Sequence, residues 1–312
     1  MTGRWIAETL HEKVGVRTSF RADRVLVEDT TEHQGLVLFE NQAFGRVLML
    51  DGITQLTTRD EFIYHEMMSH LPVLAHGAAT DVLIIGGGDG GIAEEVLKHR
   101  GVERLVQVEI DAGVVEFSRQ YLPEVSNGAF DDPRMKLVIA DGFAFTGETE
   151  ERFDVLIVDS TDPVGPAEVL YTQEFHQRCK RCLKPGGVLV TQSGNPFYQR
   201  GELVDSVANF AALFADARCA VAAIPTYVGG FFAIGWASDE TELWAVDVEI
   251  VRRRFAEAAI ETRYYTPDIH RAAFALPRYV AEAVEEGRAK GIGTEWLERR
   301  HPGLAEGQDR DP

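Results

Sequence analysis

The sequence predicts an α/β protein in which a doubly wound sheet follows a small β-rich domain, and three observations predict it. Short apolar or alternating runs fill the first 75 residues. From Asp81 onward, strand-like and helix-like runs alternate. The strands of this second part are apolar almost throughout, which implies burial on both faces and hence a parallel sheet with helices on both sides. The expected organisation is a β-rich domain over 1–75, a larger domain with C-terminal helices over 76–300, and a disordered tail over 301–312, where "HPGLAEGQDRDP" offers little that can pack.

The elements follow in order. "RVLVED", "GLVLFEN", "GRVLML" and "ITQLTT" read as strands, and Asp51-Gly52 between the last two marks a tight hairpin. "RDEFIYHEMMSHLPVLAHG" carries Ile63, Met67, Leu71 and Leu74 at helical spacing, with Pro72 predicted to kink the helix or end it early. "VLIIG", "LVQVEID", "KLVIAD", "FDVLIVD" and "GVLVTQS" are the strands of the large sheet. "CAVAAIPTYVGGFFAIGWAS" adds two strands joined through a glycine turn, an antiparallel hairpin at one edge. "LWAVDVEIVRRRFAEAAI" and "RYVAEAVEEGRAKG" read as closing helices, and no internal repeat is present.

Charge narrows the function classes. The 312 residues carry 31 Lys+Arg against 50 Asp+Glu, a net charge of −19. That balance disfavours nucleic acid and anionic membranes and attracts cationic ligands, although solubility in a salty interior gives the same composition. No apolar run reaches the roughly 18 residues of a membrane span, and "MTGRWIAETLHEKVG" is too polar for a signal peptide, so a cytoplasmic location is expected. Three cysteines are too few for a disulfide framework. "HQRCKRC" suggests zinc, but His176, Cys179 and Cys182 fan around a helix, whereas Phe175, Cys179, Cys182 and Leu183 form one apolar stripe. Buried core cysteines and no metal are expected.

In open α/β sheets ligands bind outside the carboxyl ends of the strands. Acids gather there: Asp89 just past the first strand, Glu109 at the second, Asp141 at the third, and Asp159 and Asp162 past the fourth. A lone acid at such a point is more often a helix cap or turn former, but five converging on one sheet edge outweigh that reading. Glu109 lies about 20 residues beyond the glycine turn Gly86-Gly87-Gly88-Asp89-Gly90-Gly91, where an acid accepts from ribose hydroxyls in a Rossmann-like fold. The turn lacks a strict dinucleotide fingerprint and carries a carboxylate where an anion usually binds. Glu109 alone permits NAD or an S-adenosyl compound; with "ADG" at 140–142, where Asp141 could accept from the adenine amino group, the pattern suggests an adenosine site. Asp89 facing a ligand α-carboxylate at about 4 Å would cost about 4 kcal/mol at an effective dielectric of about 20. It therefore suits a ligand with an amine and no carboxylate, as in decarboxylated S-adenosylmethionine.

Six segments carry a resemblance: "LDGITQLTTRDEFIYHEMMSH", "VLIIGGGDGG", "VEIDAGVVEFSRQYLP", "DDPRMKLVIADG", "DVLIVDSTDPVGPAEVLY" and "IPTYVGG". Together the sequence resembles the polyamine aminopropyltransferases, the spermidine synthase family. The resemblance implies a nucleoside site at Gln34, Glu109, Asp141, Gly142 and Pro166, and Asp89 as the acid for the aminopropyl nitrogen. It implies an amine channel at Gln55, Tyr64, His65 and Tyr227, a gate loop at Ser160, Thr161 and Asp162, and Asp159 as proton acceptor. Val228 and "SGNPFYQ" depart from the family's pattern on the amine side. The implied reaction moves an aminopropyl group from decarboxylated S-adenosylmethionine, a co-substrate, to putrescine, with no cofactor. Spermidine, agmatine or cadaverine as acceptor, a methyltransferase and a non-catalytic polyamine sensor are the alternatives. A homodimer or homotetramer is implied as well.

Overall fold

The computed structural model describes residues 3–163 and 165–290, apart from the side chain of Pro166; the expected tail at 301–312 lies outside them. Strands β1 (Arg4–Ala7) and β2 (Ser19–Ala22) form an antiparallel ribbon. Neither was foreseen, because four residues of mixed polarity show no periodicity. Strands β3 (Arg24–Thr30), β4 (Gly35–Asn41), β5 (Gly45–Leu50) and β6 (Ile53–Thr57) form an antiparallel meander at the positions the sequence predicts. Asp51 and Gly52 turn β5 into β6 with φ of 49° and 76°, the left-handed pair of a type I′ hairpin.

The large sheet is built from β7 (Asp81–Gly86), β8 (Arg104–Glu109), β9 (Met135–Ile139), β10 (Phe153–Asp159), β11 (Leu183–Gln192), β12 (Asp216–Ala222) and β13 (Phe232–Ser238). Its order is β12-β13-β11-β10-β7-β8-β9. Strands β7 to β11 pair in parallel, and β13 runs antiparallel to both β11 and β12, so the sheet is mixed with the expected hairpin at one edge.

Helices α1 (Glu61–His76), α2 (Gly91–Leu97), α3 (Ala112–Tyr121), α4 (Pro123–Ser126), α5 (Gly142–Glu148), α6 (Gln173–Arg181), α7 (Arg200–Leu213), α8 (Val248–Ala258), α9 (Pro267–Ala272) and α10 (Arg278–Lys290) connect and cover these strands. Successive strand residues point to opposite faces, and the two cores follow that period. Val82, Ile84, Val155 and Ile157 pack with residues of α1, α2 and α8. Leu83, Ile85, Leu156 and Val158 pack with residues of α6, α7 and α10. The inner face of the N-terminal meander, through Leu36, Leu38, Leu48, Leu50 and Leu56, closes onto Val114 and Phe117 of α3 and Val125 of α4. This contact brings the meander over the strand ends of the large sheet.

Two expectations need correction. Of the two outcomes expected at Pro72, a kink or an early end, the early end does not occur; the helix continues to His76 and closes at Gly77 in the left-handed region. Losing a backbone bond at an internal proline costs about 3 kcal/mol. Met67, Met68, Leu71 and Leu74 are all buried on this helix, each contributing roughly 1.5–3 kcal/mol. The stretch from Leu243 is not one helix either. Leu243–Ala245 is a separate 3-10 turn, and α8 starts afresh where the Asp247 side chain accepts from the Glu249 amide. Cys179 and Cys182 lie in the apolar core with Phe175. No helix among the described residues is long and apolar enough to cross a membrane.

Candidate active site

A cavity of about 380 Å³ opens between the carboxyl ends of β7, β8, β9 and β10 and the underside of the N-terminal meander. It collects Gln34, Gln55, Tyr64, His65, Asp89, Glu109, Asp141, Gly142, Asp159, Ser160, Thr161, Asp162 and Tyr227. Of the expected site residues only Pro166 is not placed, since its side chain lies outside the described residues. Residues more than 190 positions apart in the chain thus share one wall.

The turn after β7 is held from three sides. Gly86 has φ 88°, and a Cβ there would collide with the carbonyl oxygen of Asp159. That carbonyl instead accepts from the Gly87 amide at 3.1 Å, which fixes the turn to the end of β10. Gln107, fully buried on β8, donates its side-chain amide to the Gly86 carbonyl at 2.9 Å. Asp89 then points one oxygen at the Gly91 amide, 2.6 Å away, while its side chain lines the cavity. The carboxylate in this turn is both a turn former and a cavity group.

Glu109 ends β8 and is 9% exposed. Burial pushes its carboxyl up to about 7, with Asp111 and Asp159 adding to the rise and the Asp111 amide, donating at 2.8 Å, opposing it. Gln34 reaches across from the meander to Asp111 at 3.0 Å, beside Thr31 at 2.6 Å. Asp111 was missed by sequence reasoning; its other oxygen caps α3, the role an isolated acid usually has. Asp141 at the end of β9 likewise caps α5 through the Phe143 amide at 2.7 Å, and remains exposed at the cavity mouth.

Asp159 ends β10 and accepts from the Tyr64 hydroxyl at 2.6 Å. Burial and the neighbouring Asp89 raise its carboxyl to about 7, against the pull of Tyr64 and His65. The Tyr64 ring meets Phe232 at 5.7 Å and Tyr227 at 6.0 Å, both edge-on, and Tyr227 donates to the Gln55 carbonyl at 2.8 Å. These rings make an aromatic wall of the cavity beside Asp159. Ser160 and Thr161 are tied to Tyr171, whose hydroxyl donates to the Thr161 carbonyl at 3.0 Å and also pairs with Gln192. Asp162 accepts from Gln199 at 2.6 Å.

Glu8 is the site residue that sequence reasoning missed most completely. It comes from the N-terminal ribbon region, lines the cavity and is 5% exposed. Its Oε2 has no hydrogen-bond partner among the described residues. Burial raises its carboxyl, Thr54 opposes the rise, and Asp162 adds to it. Nothing in "RWIAETL" distinguishes this glutamate from a surface acid. The cavity as a whole holds seven carboxylates, from Glu8, Asp51, Asp89, Glu109, Asp141, Asp159 and Asp162. Among the described lining residues there is no lysine or arginine. Such a site is built for cations.

Residues 61–247 match the spermine/spermidine synthase domain, and residues 4–58 match the spermidine synthase tetramerisation domain. The chain is 55% identical over 276 residues to the polyamine aminopropyltransferase of Ruegeria sp., covering 88% of this chain and 96% of that one. It is 54% identical over 277 residues to polyamine aminopropyltransferase 1 of Pseudomonas aeruginosa, covering 89% and 96%. The fold is similar to that of spermidine synthase from Thermotoga maritima, with a TM-score of 0.84 at 36% identity over 91% of this chain and 96% of that one. A spermidine synthase in complex with the transition-state analogue AdoDATO is similar to the same degree, with a TM-score of 0.85 at 36% identity, covering 91% and 97%.

Proposed function

The chain belongs to the spermine/spermidine synthase family and is an aminopropyltransferase, and on that premise we propose that it transfers the aminopropyl group of decarboxylated S-adenosylmethionine to putrescine. The observation that carries this reading is the cavity of seven carboxylates with no lysine or arginine among its described lining residues. Both substrates are cations, and a field of one sign concentrates them in the cleft.

Glu109 takes the ribose hydroxyls. Gln34, Asp141, Gly142 and Pro166 complete the nucleoside site. Asp89 takes the ammonium of the aminopropyl arm. The diamine lies along Gln55, Tyr64, His65 and Tyr227, under Ser160 and Thr161. One end meets Asp159, and the other ammonium is held by Asp162 together with Glu8. Two acidic ends suit a diamine that must lose one proton and keep the other charge.

The displacement balances without a metal or redox group. The amine nitrogen forms a bond to the methylene beside the sulfonium, the C–S bond breaks, and sulfur keeps its electron pair in 5′-methylthioadenosine. Asp159 takes the proton, leaving spermidine. An alkylammonium near pKa 10.4 gives its proton to an ordinary aspartate at a cost of about 9 kcal/mol. With Asp159 at about 7, that cost falls to about 4.6 kcal/mol. Burial thus turns a poor base into a usable one.

The acceptor is tested by competition. Purified protein given decarboxylated S-adenosylmethionine with putrescine, cadaverine, agmatine and spermidine together should make spermidine as its main product. A different main product would reassign the acceptor. Val228 and Asn195, where the chain departs from the family's pattern, line the cavity on this side and favour the other amines as the second reading. The match of residues 4–58 to a tetramerisation domain favours a homotetramer over a homodimer, and a cytoplasmic location belongs to the same proposal.

Asp89 sets the donor. Asp89→Asn should lower the ratio of affinities for decarboxylated over ordinary S-adenosylmethionine by at least roughly tenfold, about 1.4 kcal/mol. Calorimetric titration of both nucleosides reads this ratio. An unchanged ratio would leave Asp89 as a turn residue and return the methyltransferase reading to contention.

A further inference from the structure

Glu61 is absent from the cavity wall, yet it holds a residue that lines it. It lies one helical turn before His65 on α1, and its carboxylate meets His65 Nδ1 at 2.8 Å. The other ring nitrogen, Nε2, stands 3.5 Å from Asp89. The imidazole is 3% exposed and sits between two carboxylates. Its orientation is fixed from behind, because a Cβ on Gly91, the first residue of α2, would collide with the ring. The two contacts differ in kind. The Glu61 contact is a full hydrogen bond. The Asp89 contact is too long for a strong one, and Asp89 is held instead by the Gly91 amide at 2.6 Å. The Nε2 side is therefore the side that can change partners.

Burial by itself would lower the His65 pKa, but Asp89 and then Glu61 lift it well above the usual histidine range. The other groups around the ring favour the proton as well. When ionised, Asp159 and Glu95 favour it too, since the His65 charge lowers the pKa of each, and Tyr64 meets the ring edge-on at 5.7 Å. Lys98, on the far side of Glu95, is paired with Glu94 and Glu95. In the free protein His65 is thus an imidazolium that neutralises Asp89. A second cation brought to Asp89 makes that proton redundant.

We propose that Glu61 is a positioning residue for the aminopropyl arm, holding the proton on His65 Nδ1 so that Nε2 can give its own proton to solvent and accept from the arriving ammonium. This rests on the reading that Asp89 binds the arm. One N–H bond breaks at Nε2 and the proton passes to buffer; the ligand ammonium keeps all of its protons. Without a carboxylate at 61, His65 loses one of the two charges that keep it protonated. A glutamine amide there can also donate to Nδ1, which leaves a proton on Nε2 facing the ammonium.

Calorimetry in two buffers of different ionisation enthalpy counts the protons released on binding. Decarboxylated S-adenosylmethionine is titrated into the wild type, Glu61→Gln and His65→Gln, with 5′-methylthioadenosine, which lacks the arm, as the folding control. The wild type should release more protons than His65→Gln, and Glu61→Gln should fall from the wild-type level toward that of His65→Gln. Because the His65 charge also lowers the Asp159 pKa, the comparison is repeated on an Asp159→Asn background, which removes any release from that carboxyl. Glu61→Gln should also bind the arm-bearing nucleoside about tenfold more weakly while its affinity for 5′-methylthioadenosine stays within about twofold. Equal release from the wild type and Glu61→Gln, or from the wild type and His65→Gln, overturns the inference. Asp89→Asn separates the two levels: if it binds the arm-bearing nucleoside as the wild type does, the underlying reading fails. If Asp89→Asn weakens binding and Glu61→Gln does not, only the role of Glu61 fails.

Discussion

Asp159→Asn is expected to lose about 10²–10⁴ in turnover while binding 5′-methylthioadenosine nearly as the wild type does. The amide keeps the size of the side chain and a partner for the Tyr64 hydroxyl, 2.6 Å away, but it takes no proton at neutral pH. The pH profile separates the roles. In the wild type the rate should rise through about 7, where Asp159 ionises. In the variant it should keep rising with pH above that point, because more amine arrives already neutral. If Asp159 only anchored an ammonium, the variant would show a raised KM that high pH makes worse. Wild-type kcat in the variant would remove Asp159 from the chemistry.

The same substitution carries a stability signature of opposite sign. The folded-state carboxyl lies near 7, above its unfolded value near 3.9, so the folded protein binds the proton more tightly. The stability it contributes is present below the unfolded pKa and is lost as pH rises through the folded one. Asp159→Asn should therefore melt above the wild type at pH 8, with the difference shrinking toward pH 4. Thermal melts at the two pH values check it, and a variant less stable at pH 8 than at pH 4 relative to wild type would contradict the burial argument.

Glu109→Gln is the second large effect, a loss of about 1.5–3 kcal/mol in nucleoside affinity, or roughly tenfold to more than a hundredfold. Ribose hydroxyls donate to a carboxylate more strongly than to an amide. Burial holds Glu109 near 7, so wild-type affinity for 5′-methylthioadenosine should tighten as pH rises from 6 to 8. The variant should lose both the affinity and that pH dependence. Titration calorimetry across the range reads the two together, and an unchanged, pH-independent affinity would take Glu109 out of the site.

Both residues were legible in the sequence because each ends an apolar strand, at the edge where an open α/β sheet places its ligand. Asp89 was legible for a related reason, as an acid inside a glycine turn. Their ionisation was not legible. It depends on burial and on carboxylates that approach from other strand ends, as Asp89 does toward Asp159 and Asp159 toward Glu109. Glu8, Asp111 and Glu61 escaped for the same reason. Each looks in the chain like an ordinary surface acid or cap, and only its neighbours in space make it otherwise. Pro72 shows the converse error: a local rule for breaking helices yielded to the burial of Met67, Met68, Leu71 and Leu74 around it.

By itself, then, the sequence determined the strands of the large sheet, the hairpin at Asp51-Gly52, the ligand-binding edge and the acids that crown it. Apolar runs, turn residues and strand-end carboxylates are local patterns, and local patterns survive in one dimension. The tertiary structure decided which acids share a wall, which of them stay protonated near neutrality, and which reach the site only through another residue. Those are properties of distance and dielectric. Glu8 meets Asp162 only where the N-terminal region lies over the strand ends, and Asp89 meets His65 only where α1 packs against the start of α2.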